Sequence, residues 1–276
     1  MINFFELDKL TTAERAALLE RTEADLSSFM GPVAKIVDRV RAGGDAAIAE
    51  LAKEIDGTVL DPAGLEATEA EFEAAEKALA ADVKESIRYA IDNIRRFHER
   101  QKPEEMWIME IRKGAFAGER WTPIRSVACY VPRGKGAFPS VMMMTTVPAV
   151  VAGVPEITVL TPPTPDGGID AASLFAAREA GVIRVFRVGG AVAVAAAAFG
   201  TASIPRSAKI VGPGSPWLVA AKRHLADRID TGLPAGPSES IVLADATANP
   251  DIAALDLLIE AEHGPDSSAY LVTDSR

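Results

Sequence analysis

The chain has 276 residues, 48% of them hydrophobic and 25% charged, which is ample apolar material for one or two domains. A formal net charge of −10 argues against a nucleic-acid partner, whose phosphates would repel the chain. Cys129 is the single cysteine, so an internal disulfide framework and a cysteine-rich zinc knuckle are both excluded.

Apolar runs such as residues 147–154 are broken by Gly or Pro long before the length of a membrane span. The start, Met1-Ile2-Asn3-Phe4-Phe5-Glu6, has neither the basic opening nor the long apolar stretch of a secretory signal. A cytoplasmic setting with no membrane partner is expected. The first hundred residues read as helices. Val33, Ile36, Val37 and Val40 recur at helical spacing, Gly43-Gly44 interrupts, and Asp45 is a fair N-cap for a second helix carrying Ile48, Leu51 and Ile55. Asp56-Gly57 closes it. One long helix is expected over residues 69–98, with a stripe at Val83, Ile87, Ile91 and Ile94. Its Ala- and Glu-rich stretch, residues 66–85, reads as a solvated face. Residues 105–121 could form a hairpin turning at Lys113-Gly114.

From Ser126 the pattern changes to short β-rich runs alternating with helices. Residues 127–131, 157–160, 182–188 and 209–211 read as strands, followed in turn by a helix after Pro139-Ser140, a helix after Asp170, an Ala-rich helix beyond the Gly189-Gly190 loop, and a helix after Ser215. Four such units in series imply a parallel sheet with helices on its faces, because parallel strands need crossovers. Ligands of such sheets bind beyond the carboxyl ends of the strands. After the turn-like Ala235-Gly236-Pro237-Ser238-Glu239 comes a strand at 240–244, a helix capped by Asn249 with Pro250 at its first position, and a last strand at 269–273.

Three places could carry chemistry. The helix over residues 251–263 brings Asp256, Glu260 and His263 to one face, either as part of a zinc site or as a histidine favouring a helix C-terminus beside surface acids. Gly212-Pro213-Gly214-Ser215 opens a helix after a strand, either as an anion cradle or as a tight structural turn. Tyr130, followed by Arg133 and Lys135, puts a ring and two cations at the mouth of the sheet, where they hold a nucleotide or acidic substrate or belong to a solvated loop. The run Met142-Met143-Met144 reads as core, and His98 and His224 as incidental.

Taken together, several segments resemble the histidinol dehydrogenase family. They are Tyr130-Val131-Pro132 with Gly134, Gly189-Gly190-Ala191, Ala198-Phe199-Gly200-Thr201, Lys209-Ile210-Val211-Gly212-Pro213-Gly214, Ala235-Gly236-Pro237-Ser238-Glu239 and Ala261-Glu262-His263, with the helix containing Phe97-His98. The likeness runs from about residue 30 to Arg276. It implies an α/β fold of two incomplete Rossmann-like lobes with parallel sheets, preceded by N-terminal helices. Residues 1–126 would hold those helices and the start of the first lobe, 127–237 the second lobe, and 238–276 the return to the first. It implies NAD and Zn²⁺ as cofactors, oxidation of L-histidinol through the aldehyde to L-histidine, and an intertwined homodimer. By the same resemblance Tyr130, Val192 and Ser215 fall on cofactor-contacting positions, Ser238, Glu260 and His263 on substrate-contacting ones, and Glu260 and His263 on zinc ligands. Val192 stands where the family has a glutamine, Ser215 where it has an asparagine, and Glu260 where it has a zinc-ligating glutamine. The family's catalytic Glu-His pair and further zinc ligands lie in a C-terminal portion with no counterpart in residues 1–276, so no catalytic residue is expected in this chain and no turnover by it alone. The rival readings are a paralogue for another small polar alcohol, sulfonated or phosphorylated, and a non-catalytic binding protein on the same fold.

Overall fold

A computed structural model describes residues 3–19, 26–133, 136–232, 238–262 and 267–275. The chain forms two compact units, residues 26–236 and residues 1–25 together with 237–276. Helix α1 (Thr12–Leu19) belongs to the smaller unit.

The larger unit begins with α2 (Ser27–Leu51), whose apolar spacing buries Val33, Val37, Val40, Ile48 and Leu51. It kinks at Gly44, so the interruption expected at Gly43-Gly44 is real. Asp45 does something other than cap the second half. Its carboxylate accepts the Ser203 N–H at 3.0 Å and the Ser203 hydroxyl at 2.7 Å, tying the kink to a distant loop. A π-helical turn, Ala52–Asp56, ends at left-handed Gly57, the expected stop. The single helix expected over residues 69–98 is two: α3 (Glu69–Ala78) and α4 (Ala81–Gln101). Leu79 and Ala80 are extended between them, and Leu79 packs onto the core rather than continuing the helical stripe. A capping box fixes the start of α3, the Thr68 hydroxyl accepting from the Glu71 N–H and the Glu71 carboxylate from the Thr68 N–H. The acids of this stretch are not merely solvated. Glu66, Glu69 and Glu71 pair with Arg184, Arg178 and Arg187 respectively. The hairpin forms as read, β1 (Met106–Arg112) against β2 (Ala115–Arg120).

The parallel sheet contains β3 (Ser126–Tyr130), β4 (Glu156–Thr161), β5 (Val185–Arg187) and β6 (Lys209–Val211), in the order β5-β4-β3-β6. The helices that connect or follow them are α5 (Pro139–Val151), α6 (Ala171–Ala180), α7 (Gly190–Phe199) and α8 (Pro216–His224). Two cores follow. On one face α4, α5 and α6 pack together, burying Met142 and Met143, although Met144 points outward. On the other α2 packs on α7 and α8. Every residue from Ala191 to Ala198 is buried, and alanine's short side chain lets α7 fit between sheet and neighbouring helices. Strands covered on both faces read as continuous apolar runs, which is why the sequence exposes them so clearly.

In the smaller unit β7 (Glu239–Ala244), α9 (Pro250–Ala261) and β8 (Ser268–Thr273) make one parallel βαβ unit. The Asn249 side chain caps α9, with Pro250 in the first turn. The expected turn at 235–237, the loop residues Gly134 and Lys135, and the helix end at His263-Gly264-Pro265 lie outside the described residues. Among the described residues no helix is long and apolar enough to cross a membrane.

Candidate functional site

The chain leaves β3 first towards β4 and β5, and returns on the other side to β6. Such a reversal opens a crevice beyond the carboxyl ends of the strands on either side of it. Tyr130 closes β3 and Gly212 follows β6. A Cβ on Gly212 would lie 2.1 Å from the Tyr130 carbonyl oxygen, and its φ of +111° suits glycine alone, so the two strand ends meet only because no side chain is there. Lys222, on α8, fixes this turn from beneath by donating to the Gly212 carbonyl at 2.7 Å. Its ammonium is buried, which lowers its pKa.

Tyr130 is buried, and its hydroxyl accepts the Gly190 N–H at 3.0 Å, joining the end of β3 to the start of α7. Burial pushes its pKa up to about 12; the Gly190 N–H pulls the other way and the Asp56 carboxylate adds a smaller upward push. The phenol therefore stays neutral at physiological pH.

A cavity of about 490 Å³ opens here. Its walls include Tyr130, Val192, Ser215, Arg133, Asp56 and Trp217, so all three residues expected on the cofactor side are brought to one place. Val192 gives an apolar wall on the first turn of α7. Ser215 occupies the N-cap position of α8 but makes no capping hydrogen bond, which leaves its hydroxyl to the cavity. At the rim Arg39 pairs with Glu54 at 2.6 Å and Glu50 at 3.4 Å; the Glu54 hydrogen bond, opposed by partial desolvation, raises the guanidinium's pKa. Arg187, at the end of β5, also lines the cavity while donating to the Gly64 and Glu66 carbonyls and pairing with Glu71. A smaller recess of about 130 Å³ shares Asp56, Arg133 and Pro162 with the main cavity. Asp56 and Lys222 were missed as site residues. In the sequence Asp56-Gly57 reads only as a helix stop, and nothing local marks Lys222 as buried.

In the smaller unit Ser238 precedes β7, and its carbonyl accepts the Ser268 N–H at 3.1 Å. Glu260 is buried on the last turn of α9, whereas Asp256 is exposed. His263 lies outside the described residues. Among the described residues no group of three or more His, Cys, Asp or Glu is set to hold a metal, and zinc needs three or four ligands. One buried carboxylate does not make that site.

Four parallel strands in this order, helices on both faces and a cavity at the reversal define a Rossmann-like α/β lobe. The chain belongs to the histidinol dehydrogenase family, whose profile matches residues 19–276. It is 62% identical to a protein of Rhizobium meliloti (strain 1021) named histidinol dehydrogenase homolog, covering 99% of this chain and 60% of that protein. It is 45% identical to the histidinol dehydrogenase of Synechocystis sp. (strain ATCC 27184 / PCC 6803 / Kazusa), covering 100% of this chain and 63% of that one. The crystal structure of histidinol dehydrogenase from Elizabethkingia anophelis superposes with a TM-score of 0.90 at 32% identity, covering 97% of this chain and 61% of that one. The chain thus spans about three fifths of the length of these relatives.

Proposed function

We propose that this chain contributes the cofactor lobe and the start of the substrate lobe of an NAD-dependent alcohol dehydrogenase that oxidises L-histidinol through its aldehyde to L-histidine. The observation that carries the reading is the convergence of Tyr130, Val192 and Ser215 on one cavity at the strand reversal. The lobe of residues 127–237 binds the dinucleotide. NAD, when bound, supplies the hydride acceptor. The neutral Tyr130 phenol holds the mouth of α7 in place through Gly190, the Ser215 hydroxyl offers the ligand a hydrogen bond, and Val192 and Trp217 exclude water. Ser238, Glu260 and His263, in residues 238–276, are this chain's share of the substrate side. Glu260 and His263 would be its share of a zinc site completed from outside residues 1–276. The general base also lies outside these residues, and the working enzyme is a homodimer in the cytoplasm.

Calorimetry of the purified 276-residue chain with NAD tests the reading. Saturable binding is expected, lost in Val192→Trp, which fills the cavity, with no NADH produced on adding histidinol. A folded chain that ignores NAD refutes the cofactor lobe; NADH production by residues 1–276 alone refutes the division of labour.

A second reading, a paralogue for another small polar alcohol such as a sulfonated or phosphorylated one, has one observation in its favour. Relatives at 53–62% identity are named histidinol dehydrogenase homolog, while those named histidinol dehydrogenase without qualification stand at 45% and below. A substrate panel on this chain extended by the matching C-terminal portion of the Rhizobium relative separates them: strict preference for histidinol rules out the paralogue.

A further inference from the structure

Asp56 is placed against ordinary physical preferences. It is the last residue of the π-helical turn that extends α2, where the negative end of the helix dipole disfavours a carboxylate. The wall atoms around it strip away enough water to raise its pKa, although the residue still opens to solvent through the cavity. Among the described residues no side chain or backbone N–H hydrogen-bonds its carboxylate and no cation pairs with it. A charge kept at such a position, in a cleft, points to a ligand.

Its surroundings say which ligand. Asp56 and Pro162 line both the main cavity and the smaller recess. Pro162 directly follows β4, the second strand of the sheet in chain order. In dinucleotide-binding sheets the acid that accepts the adenosine ribose hydroxyls stands about there, beyond the second strand. The chain's own loop after β4 does not fill that role. Its acid, Asp166, lines neither recess. Arg133, which donates to the Pro163 carbonyl at 3.3 Å, lines both recesses and supplies a cation for phosphates.

We infer that Asp56 accepts hydrogen bonds from the 2′,3′-diol of the adenosine ribose, and by its charge bars a phosphate at the 2′ position. It is thus a specificity-determining residue contributed by the N-terminal helices rather than by the sheet. This rests on the cofactor-lobe reading above and adds to it a choice between NAD and NADP.

The test is calorimetry of the 276-residue chain and its Asp56→Asn variant with NAD and with NADP, alongside thermal unfolding of both proteins. Wild type is expected to bind NAD at least about tenfold more tightly than NADP. In the variant NAD should weaken about tenfold, the cost of a lost hydrogen bond to a charged group, while the preference over NADP shrinks. Its melting temperature should hold or rise, since an unfavourable charge is gone. Unchanged NAD affinity and an unchanged NAD-to-NADP ratio in the folded variant overturn the ribose assignment but leave the cofactor lobe standing. Wild type binding neither nucleotide overturns both. An NAD loss accompanied by a fall in melting temperature makes Asp56 a structural residue, which also overturns the assignment.

Discussion

The joint between Tyr130 and Gly212 is where fold and site depend on the same missing atom. A Gly212→Ala substitution puts a Cβ 2.1 Å from the Tyr130 carbonyl oxygen and 3.0 Å from its carbon, both backbone atoms that cannot swing aside. It also forces alanine to a φ of +111°. A residue held in such a region costs on the order of 1–3 kcal/mol, and overpacking adds about as much. The strands cannot simply slide apart, because β3 and β6 are paired through Val127–Lys209, Ala128–Ile210 and Cys129–Val211. A loss of about 3 kcal/mol in a unit of this size lowers the melting temperature by roughly 6–12 °C. Calorimetric unfolding of the purified chain reads this directly. Gly31→Ala is the control: outside its chain neighbours nothing lies within 4 Å of its added Cβ, and the helical gain of alanine is opposed by Pro32 next in the chain, so stability should change little. If Gly212→Ala melts within about 2 °C of wild type, the claim that the strand ends meet only over a bare glycine is wrong.

Three further predictions follow from buried groups. Tyr130→Phe strands the Gly190 N–H in a buried joint and should cost about 1–3 kcal/mol by chemical denaturation; a variant as stable as wild type would mean that water replaces the phenol. Arg187→Leu removes the donor to two carbonyls and the partner of Glu71, leaving buried acceptors unsatisfied, so a loss of roughly 3–5 kcal/mol is expected. A loss no larger than that of the more exposed Arg88→Leu, whose partner is Glu179 on α6, would show that burial adds nothing. Cys129 is fully buried and burial pushes its thiol up to about 12, so thiol reagents should label it only as fast as the chain unfolds. Rapid labelling of the folded protein would contradict the close packing of β3.

The alternation of short apolar runs with helices from Ser126 onward dictated a parallel α/β sheet, since only crossovers can join parallel strands, and those strands and helix starts lie where their local patterns put them. Caps and turns were legible for the same reason: Asp170, Asn249 and Gly57 act on backbone groups within a few residues of themselves. What periodicity could not supply was anything decided by contacts across the chain. The helix over residues 69–98 splits because Leu79 answers to the core rather than to its neighbours in sequence. Asp45 abandons its cap for Ser203, the acids of residues 66–71 find arginines near β5, and Lys222 is buried under a turn that it helps to hold. Val192 and Ser215 could be aligned to a family pattern, but their meeting with Asp56 and Arg133 around one cavity depends on α2 lying across α7 and α8. Local geometry is written in nearest-neighbour chemistry. A site assembled from separate segments exists only once the hydrophobic faces of those segments have found each other.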